Sequence, residues 1–179
     1  VEQALAGIEV SRSIGLDRSM GAMLAANAAE PLIARGEWAR AARMIERALE
    51  LDPPLQHRAH LRSVRAWLLV WQGRLQEAEV LLAELRSLIG PEQPAPQYAI
   101  GAIRTDAEYA LAVGEPERAW ADIEHFLLRI DSYYAPLAFP LLAVAAAAAR
   151  QLDVRDGGDR GARVRALLET VRPTRIREQ

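Results

Sequence analysis

The sequence predicts an all-α fold, and three observations carry that expectation. Alanine, leucine, glutamate and arginine, all strong helix formers, dominate the chain, while β-branched residues are scattered and never alternate over the length of a strand. Apolar residues recur at i, i+3, i+4 and i+7 in three separate stretches, each a single helix face. Each stretch follows a short turn, and the turn glycines Gly36, Gly73 and Gly114 stand 37 and 41 residues apart, a spacing at which stacked helical hairpins repeat.

The elements follow in order. Val1 to Ile14 reads as a helix with Ala4 and Ile8 on its packing face, and Asp17 or Ser19 reads as the cap of the next helix. From Trp38, the residues Ala41, Ala42, Ile45, Ala48 and Leu49 fall on one face. That helix stops at Leu51-Asp52-Pro53-Pro54, because proline lacks the backbone donor and pushes its predecessor out of helical geometry. A second stripe, Leu75, Ala78, Leu82, Leu85 and Ile89, ends at Gly90-Pro91. The third, Ala119, Ile123, Phe126, Leu127 and Ile130, follows Gly114-Glu115-Pro116, with proline at a favoured first-turn position. Pro136 to Leu152 reads as a further helix, its Ala145 to Ala149 run permitting close approach of a neighbour. Arg160 to Val171 reads as its partner after the turn Asp156-Gly157-Gly158-Asp159. About nine helices are expected. Around every turn glycine a small residue lies five positions later (Ala41, Ala78, Ala119) and another seven earlier (Ala29, Ala66, Ala107), where two helices of a hairpin cross closely.

Composition narrows the chemistry. The 179 residues carry 22 basic and 24 acidic side chains, a balance that gives no strong field for steering toward nucleic acid or an anionic membrane. No cysteine is present, which removes disulfides and thiolate zinc sites. Every basic residue is arginine; without lysine there is no phosphate-binding loop ending in Gly-Lys-Ser/Thr, no Schiff base and no amine nucleophile. The bland source of that bias is GC-rich codon usage. No leading segment has a signal-peptide layout, and the longest apolar run, Pro136 to Ala149, falls short of a membrane span and reads as a buried helix. The chain opens at Val1 inside a helix, so it is expected to be a fragment of a longer protein.

Catalytic constellations are sparse, and no enzyme is expected. His57 and His60 are three apart on one helix, adequate for two metal ligands, but no carboxylate completes a set on that face within a turn, so no metal site is expected and the pair reads as solvated helix-surface histidines near a helix start. His125 reads as an exposed residue of an amphipathic helix. The serines Ser11, Ser13, Ser19, Ser63, Ser87 and Ser132 have neither a strained elbow nor a base in reach. Gly157-Gly158 reads as a turn and not a phosphate cradle. Arginines crowd the last twenty residues (Arg160, Arg163, Arg165, Arg172, Arg175, Arg177), yet there is no aromatic interleaving and no helix-turn-helix pair, so a solvated terminal helix outweighs direct DNA contact.

The turn pattern resembles the tetratricopeptide repeat: first-helix small residue, turn glycine, second-helix alanine and closing proline appear in order. Met23 to Pro54 is the best copy, with Ala48 to Pro53 close to the family consensus and Asn27 at a first-helix position often polar in the family. Later copies depart from it: Arg62 and Arg65 fall where apolar residues belong, Gly90 and Asp131 replace the closing proline, and the linkers Ile89 to Gln97 and Asp131 to Pro136 are long. The resemblance implies one solenoid domain over 1–179, a right-handed superhelix of antiparallel helix hairpins. Residues 1–15 would be the second helix of a truncated repeat, 18–54, 55–90 and 97–131 three repeats, and 135–172 a degenerate terminal hairpin. It also implies a concave groove lined by first helices. The family's groove positions fall on Met23, Ala26 and Glu30, on His60, Ser63, Trp67 and Trp71, and on Gly101, Arg104, Glu108 and Leu111. Trp67 and Trp71, four apart, either form an exposed anchor or fill gaps between repeats as core. Arg104 and Glu108 either meet a ligand or pair with each other.

Across most of its length the chain also resembles the helical-repeat region of large ATP-binding LuxR-type transcriptional regulators of actinobacteria. The residues that carry this are Gly15-Leu16-Asp17-Arg18 to Gly21-Ala22, Ala26-Asn27-Ala28-Ala29-Glu30, Arg35-Gly36-Glu37-Trp38 and Arg65-Ala66. Further along come Tyr98-Ala99, Ala107-Glu108 and Tyr134-Ala135-Pro136-Leu137. The resemblance implies a cytoplasmic bacterial protein whose nucleotide-binding module precedes these residues and whose helix-turn-helix domain follows them. ATP and DNA would then be bound outside this segment, which itself needs no cofactor. The segment would bind a protein, a peptide or a small-molecule inducer in its concave groove, or self-associate, without touching a membrane. A freestanding scaffold binding a peptide or protein is the alternative.

Overall fold

The computed structural model describes residues 1–89, 96–130 and 133–171. Among them there are nine α-helices and no strand: α1 (Glu2–Ser13), α2 (Ala22–Ala34), α3 (Trp38–Glu50), α4 (Leu55–Trp71), α5 (Leu75–Ile89), α6 (Pro96–Ala112), α7 (Pro116–Leu127), α8 (Phe139–Asp156) and α9 (Gly161–Val171). The chain is all-α, as its composition and periodicity predict. It divides into two compact units, Val1–Pro94 and Ala95–Gln179.

In the first unit α2 pairs with α3 and α4 with α5, while α4 also packs on α2 and α3, the order of a helical-repeat stack. α1 packs on α2. Gly7 permits that approach, since a Cβ there would stand 2.8 Å from Leu24 Cδ1. The core joins Leu32, Ile33, Ile45 and Leu61, all without solvent contact, and Ile8 of α1 packs against it.

The recurring turn has a definite geometry. Gly36, Gly73 and Gly114 all adopt positive φ, +79°, +72° and +83°. At Gly36 the amide donates to the Ile33 carbonyl at 3.0 Å, and the amide of Glu37 donates to Leu32 at 2.9 Å. The same two bonds recur as Gly73 to Val70 with Arg74 to Leu69, and as Gly114 to Leu111 with Glu115 to Ala110. This is the Schellman closure of a helix C-terminus, which needs a left-handed residue at its second-last position and so selects glycine. The residue after each glycine then pairs across the first turn of the next helix: Glu37 with Arg40 at 3.1 Å, Arg74 with Glu77 at 2.6 Å, Glu115 with Arg118 at 2.7 Å. The sign is reversed in the middle copy. Ala29, Ala66, Ala107, Ala41, Ala78 and Ala119 are all fully buried, as close hairpin crossing requires.

Two local expectations are corrected, and one departure from the repeat pattern finds its reason. Asp17 and Ser19 do not cap α2; residues Asp17–Gly21 form a π-helical turn that runs directly into it. The Asp17 carboxylate instead accepts the Arg18 amide at 3.0 Å. Arg62 and Arg65 do not occupy an apolar face of α4. Arg65 is exposed, and Arg62 reaches Glu84 of α5 at 3.8 Å. The helix expected from Pro136 begins as a 3-10 turn, Ala135–Ala138, and only becomes α-helical at Phe139. The stop after α3 uses more than proline: Asp52 sits at φ +47°, uncommon for a side-chain-bearing residue. It is clasped by Arg18, whose Nη2 donates to the Asp52 carbonyl at 2.6 Å, and by Arg58, whose Nη1 donates to Asp52 Oδ1 at 2.9 Å. The substitutions at Gly90 and Asp131, most of the linker Ile89 to Gln97, and Ser132 of the second linker lie outside the described residues.

In the second unit α6 pairs with α7 and α8 with α9, and α7 packs on α8 and α9. Ile123, Leu127, Leu141, Ala145, Ala148 and Val171 form its core. Gly157 closes α8 at φ +70°. Asp153 then ties α8 to α9, its Oδ2 accepting the Arg160 amide at 3.0 Å and its Oδ1 accepting Arg160 Nη1 at 2.6 Å. The expectation that the apolar run from Pro136 falls short of a membrane span is corrected in length: helix extends it to Ala135–Asp156, long and apolar enough to cross a membrane by length and composition. Its Leu141, Val144, Ala145, Ala148, Ala149 and Leu152 are nevertheless buried within this unit, which is the behaviour of a core helix.

Candidate functional site

In the first unit α2 carries Met23, Asn27 and Glu30 along the stripe that its buried alanines leave outward; Met23 and Glu30 are half-buried, Asn27 is exposed, and Ala26 lies in the core. α4 faces α2 with His60, Ser63 and Trp67. Of these, Ser63 and Trp67 are buried, whereas Trp71 at the end of α4 is 45% exposed. The two tryptophans meet edge to face, with ring centroids 5.5 Å apart and planes at 68°. They are therefore not exposed together: Trp67 is core and holds Trp71 at its edge.

Glu30 and His60 come together across the two helices, Oε1 to Nε2 at 3.8 Å. Burial, followed by the charge of nearby His57, pushes the His60 imidazole down to about 4, and burial lowers His57 as well. Neither is the solvated surface histidine that the sequence suggests, since His57 is 8% exposed and the His60 side chain 10%; both rings are neutral at physiological pH, as the cost of desolvating an imidazolium requires. Among the described residues no cluster of three or more His, Cys, Asp or Glu side chains is arranged to hold a metal ion.

In the second unit Arg104 Nε donates to Glu108 Oε1 at 3.0 Å, and both side chains are less than one-fifth exposed. Thr105, the next residue and buried, donates to the Gly101 carbonyl at 2.9 Å. Leu111 packs against the core. Arg104 and Glu108 are thus paired with each other.

The arginine-rich end is less basic in space than in sequence. Arg160 is held by Asp153 and by Asp156, and Arg163 of α9 by Glu124 of α7. Arg172, Arg175 and Arg177 lie outside the described residues. His125 is exposed, as expected, and lies against Arg129.

One surface escaped the sequence reading, a groove between α1 and α3 with α2 as its floor. Its signal was present: between the apolar positions of α3, arginines fall at 40, 43 and 47, which is i, i+3, i+7.

A tetratricopeptide repeat family model matches residues 32–101, from the last turns of α2 into the start of α6. No curated protein and no solved structure matches the chain significantly. Fold, turn geometry and family match together define a tetratricopeptide-like helical-repeat region. Repeats of this type generally act as non-catalytic scaffolds that bind proteins or peptides.

Proposed function

We propose that this chain is a non-catalytic repeat scaffold whose first-helix surface, Met23 and Glu30 on α2 with His60 and Trp71 on α4, binds a protein or peptide segment. The half-exposed Trp71, braced by buried Trp67, carries this reading. A stiff aromatic with an apolar body and one polar handle is the kind of side chain that anchors interfaces, and bracing lowers the entropy of holding it still.

The finer reading rests on resemblance to the LuxR-type regulators. In it the scaffold is their sensing and oligomerisation region in the bacterial cytoplasm. A protein or small-molecule inducer favours one arrangement of the helix stack, and flanking ATP- and DNA-binding domains respond. An inducer acts only to the extent that it binds one arrangement better than the other. The freestanding peptide-binding scaffold is equally compatible with the family match.

Sequencing the reading frame on both sides tests the regulator. A phosphate-binding loop upstream and a helix-turn-helix downstream are expected, and stop codons close to both ends overturn it in favour of the freestanding scaffold. In the full-length protein Trp71→Ala should blunt inducer-dependent transcription; an unaltered response removes the first-helix surface from the mechanism.

A further inference from the structure

Helices α1 and α3 of the first unit enclose a groove distinct from the first-helix surface. Leu5 and Ile8 of α1 form one wall, Met44 and Leu51 of α3 the other. At the base lie Gly21, which has no side chain, and Ala25, which has only a methyl group, and the open volume is about 550 Å³. From Arg40 to Leu51 the α3 wall is about 16 Å long, or three helical turns.

The charge on these walls is organised. Arg40, Arg43 and Arg47 share the groove side of α3, and Arg12 of α1 lines the opposite wall. Arg12 is paired with Glu9 at 2.9 Å and Arg40 with Glu37 at 3.1 Å. Arg43 and Arg47 are exposed and form no ion pair with any described residue. Two further carboxylates, Asp17 and Glu50, line the groove, and both lie toward the end where α3 finishes, beside the Arg18–Asp52 contact. The groove is therefore apolar at its base, basic along most of the α3 wall and acidic at one end.

We propose that this groove docks an acidic amphipathic helix of a partner protein. Aliphatic side chains at i, i+3 and i+7 of the partner fill the base between Ile8 and Met44, and flanking carboxylates meet Arg43 and Arg47. The acidic end repels those carboxylates and attracts the positive N-terminal end of the incoming helix, so the partner runs antiparallel to α3. Among the described residues no aromatic side chain lines the groove to stack a base, and Asp17 and Glu50 repel phosphate, which favours a peptide over nucleic acid.

The test uses the 179-residue chain and labelled synthetic helical peptides with leucine at i, i+3 and i+7, flanked by glutamate in one and by lysine in the other. Fluorescence anisotropy at low salt should show saturable binding of the glutamate peptide, about tenfold or more tighter than the lysine peptide. Arg43→Glu with Arg47→Glu, both at exposed positions, should reverse that preference while circular dichroism shows unchanged helicity. No saturable binding, equal affinity for the two peptides, or an unchanged preference in the double variant each overturns the proposal. So does duplex DNA that displaces the glutamate peptide from these arginines. If Trp71→Ala abolishes glutamate-peptide binding and the double arginine variant does not, the peptide sits on the first-helix surface; the groove assignment then fails while the proposed scaffold function stands.

Discussion

Glu30 Oε1 lies 3.8 Å from His60 Nε2, so a carboxylate of α2 meets a ring of α4 across the junction of two helix hairpins. At neutral pH this is not an ion pair, because burial holds the His60 imidazole in its neutral form down to about pH 4. The contact couples the N-terminal unit to pH through the proton that His60 resists taking.

The direction of that coupling is fixed. His60 accepts a proton near pH 6.5 when unfolded and only near pH 4 when folded, so the unfolded chain binds more protons between those values. The His60 contribution is full above pH 6.5, falls as the solution is acidified through that window, and is lost near pH 4. The difference corresponds to about 3 kcal/mol. His57, also lowered by burial, acts in the same direction. Urea unfolding at pH 7.5 and pH 5 should show the loss, and His60→Gln should remove most of it. A variant that loses as much stability as the parent on acidification shows that the response arises elsewhere.

Gly36→Ala should destabilise the first unit by roughly 1–2 kcal/mol. A Cβ at Gly36 meets nothing within 4 Å, so the whole cost is backbone strain at φ +79°. Gly36→Asn should cost less, because asparagine tolerates the left-handed region. Denaturant midpoints in the order parent, asparagine, alanine are expected; equal midpoints for parent and alanine would show that the turn relaxes.

Ala41→Leu tests the crossing of α2 and α3. Ala41 has no solvent contact and belongs to the core of the first unit. A leucine there must push the helices apart or leave its rotamer, at about 1–3 kcal/mol. Ala39→Leu, two residues earlier and exposed on the same helix, serves as the control and should change stability by less than about 0.5 kcal/mol.

The hairpins were legible because each is specified locally. A glycine that must adopt positive φ, an alanine on each side of it and a 3.6-residue apolar period all lie within one repeat, so no distant contact is needed to read them. The site was less legible because exposure depends on which face of a helix finds a neighbour. Trp67 and Trp71 are equivalent by spacing, and only the packing of α4 on α2 separates the buried ring from the half-exposed one. Arg62 and Arg65 break the apolar pattern, yet α4 turns them outward, which a per-residue consensus does not anticipate. The α1–α3 groove joins residues some forty positions apart in sequence, and its base depends on the π-helical turn at Asp17–Gly21, for which no simple sequence signal exists.

The tryptophan pair gives the sharpest separation of stability from binding. Trp67 is 4% exposed and packs in the core with Leu32, Ile33 and Leu68, whereas Trp71 is 45% exposed. Trp67→Ala should cost about 3–5 kcal/mol, the usual penalty for emptying a buried aromatic site. Trp71→Ala loses mainly the edge-to-face contact and part of its burial, about 1 kcal/mol. Trp67→Phe keeps much of the core volume but changes the edge on which the Trp71 ring rests. That variant should unfold cooperatively close to the parent midpoint while loosening Trp71, seen as a lower order parameter of the Trp71 indole N–H, resolved by NMR from the other tryptophan indoles. If the Trp71 indole is equally ordered whether residue 67 is tryptophan or phenylalanine, the bracing that makes Trp71 a stiff anchor is absent.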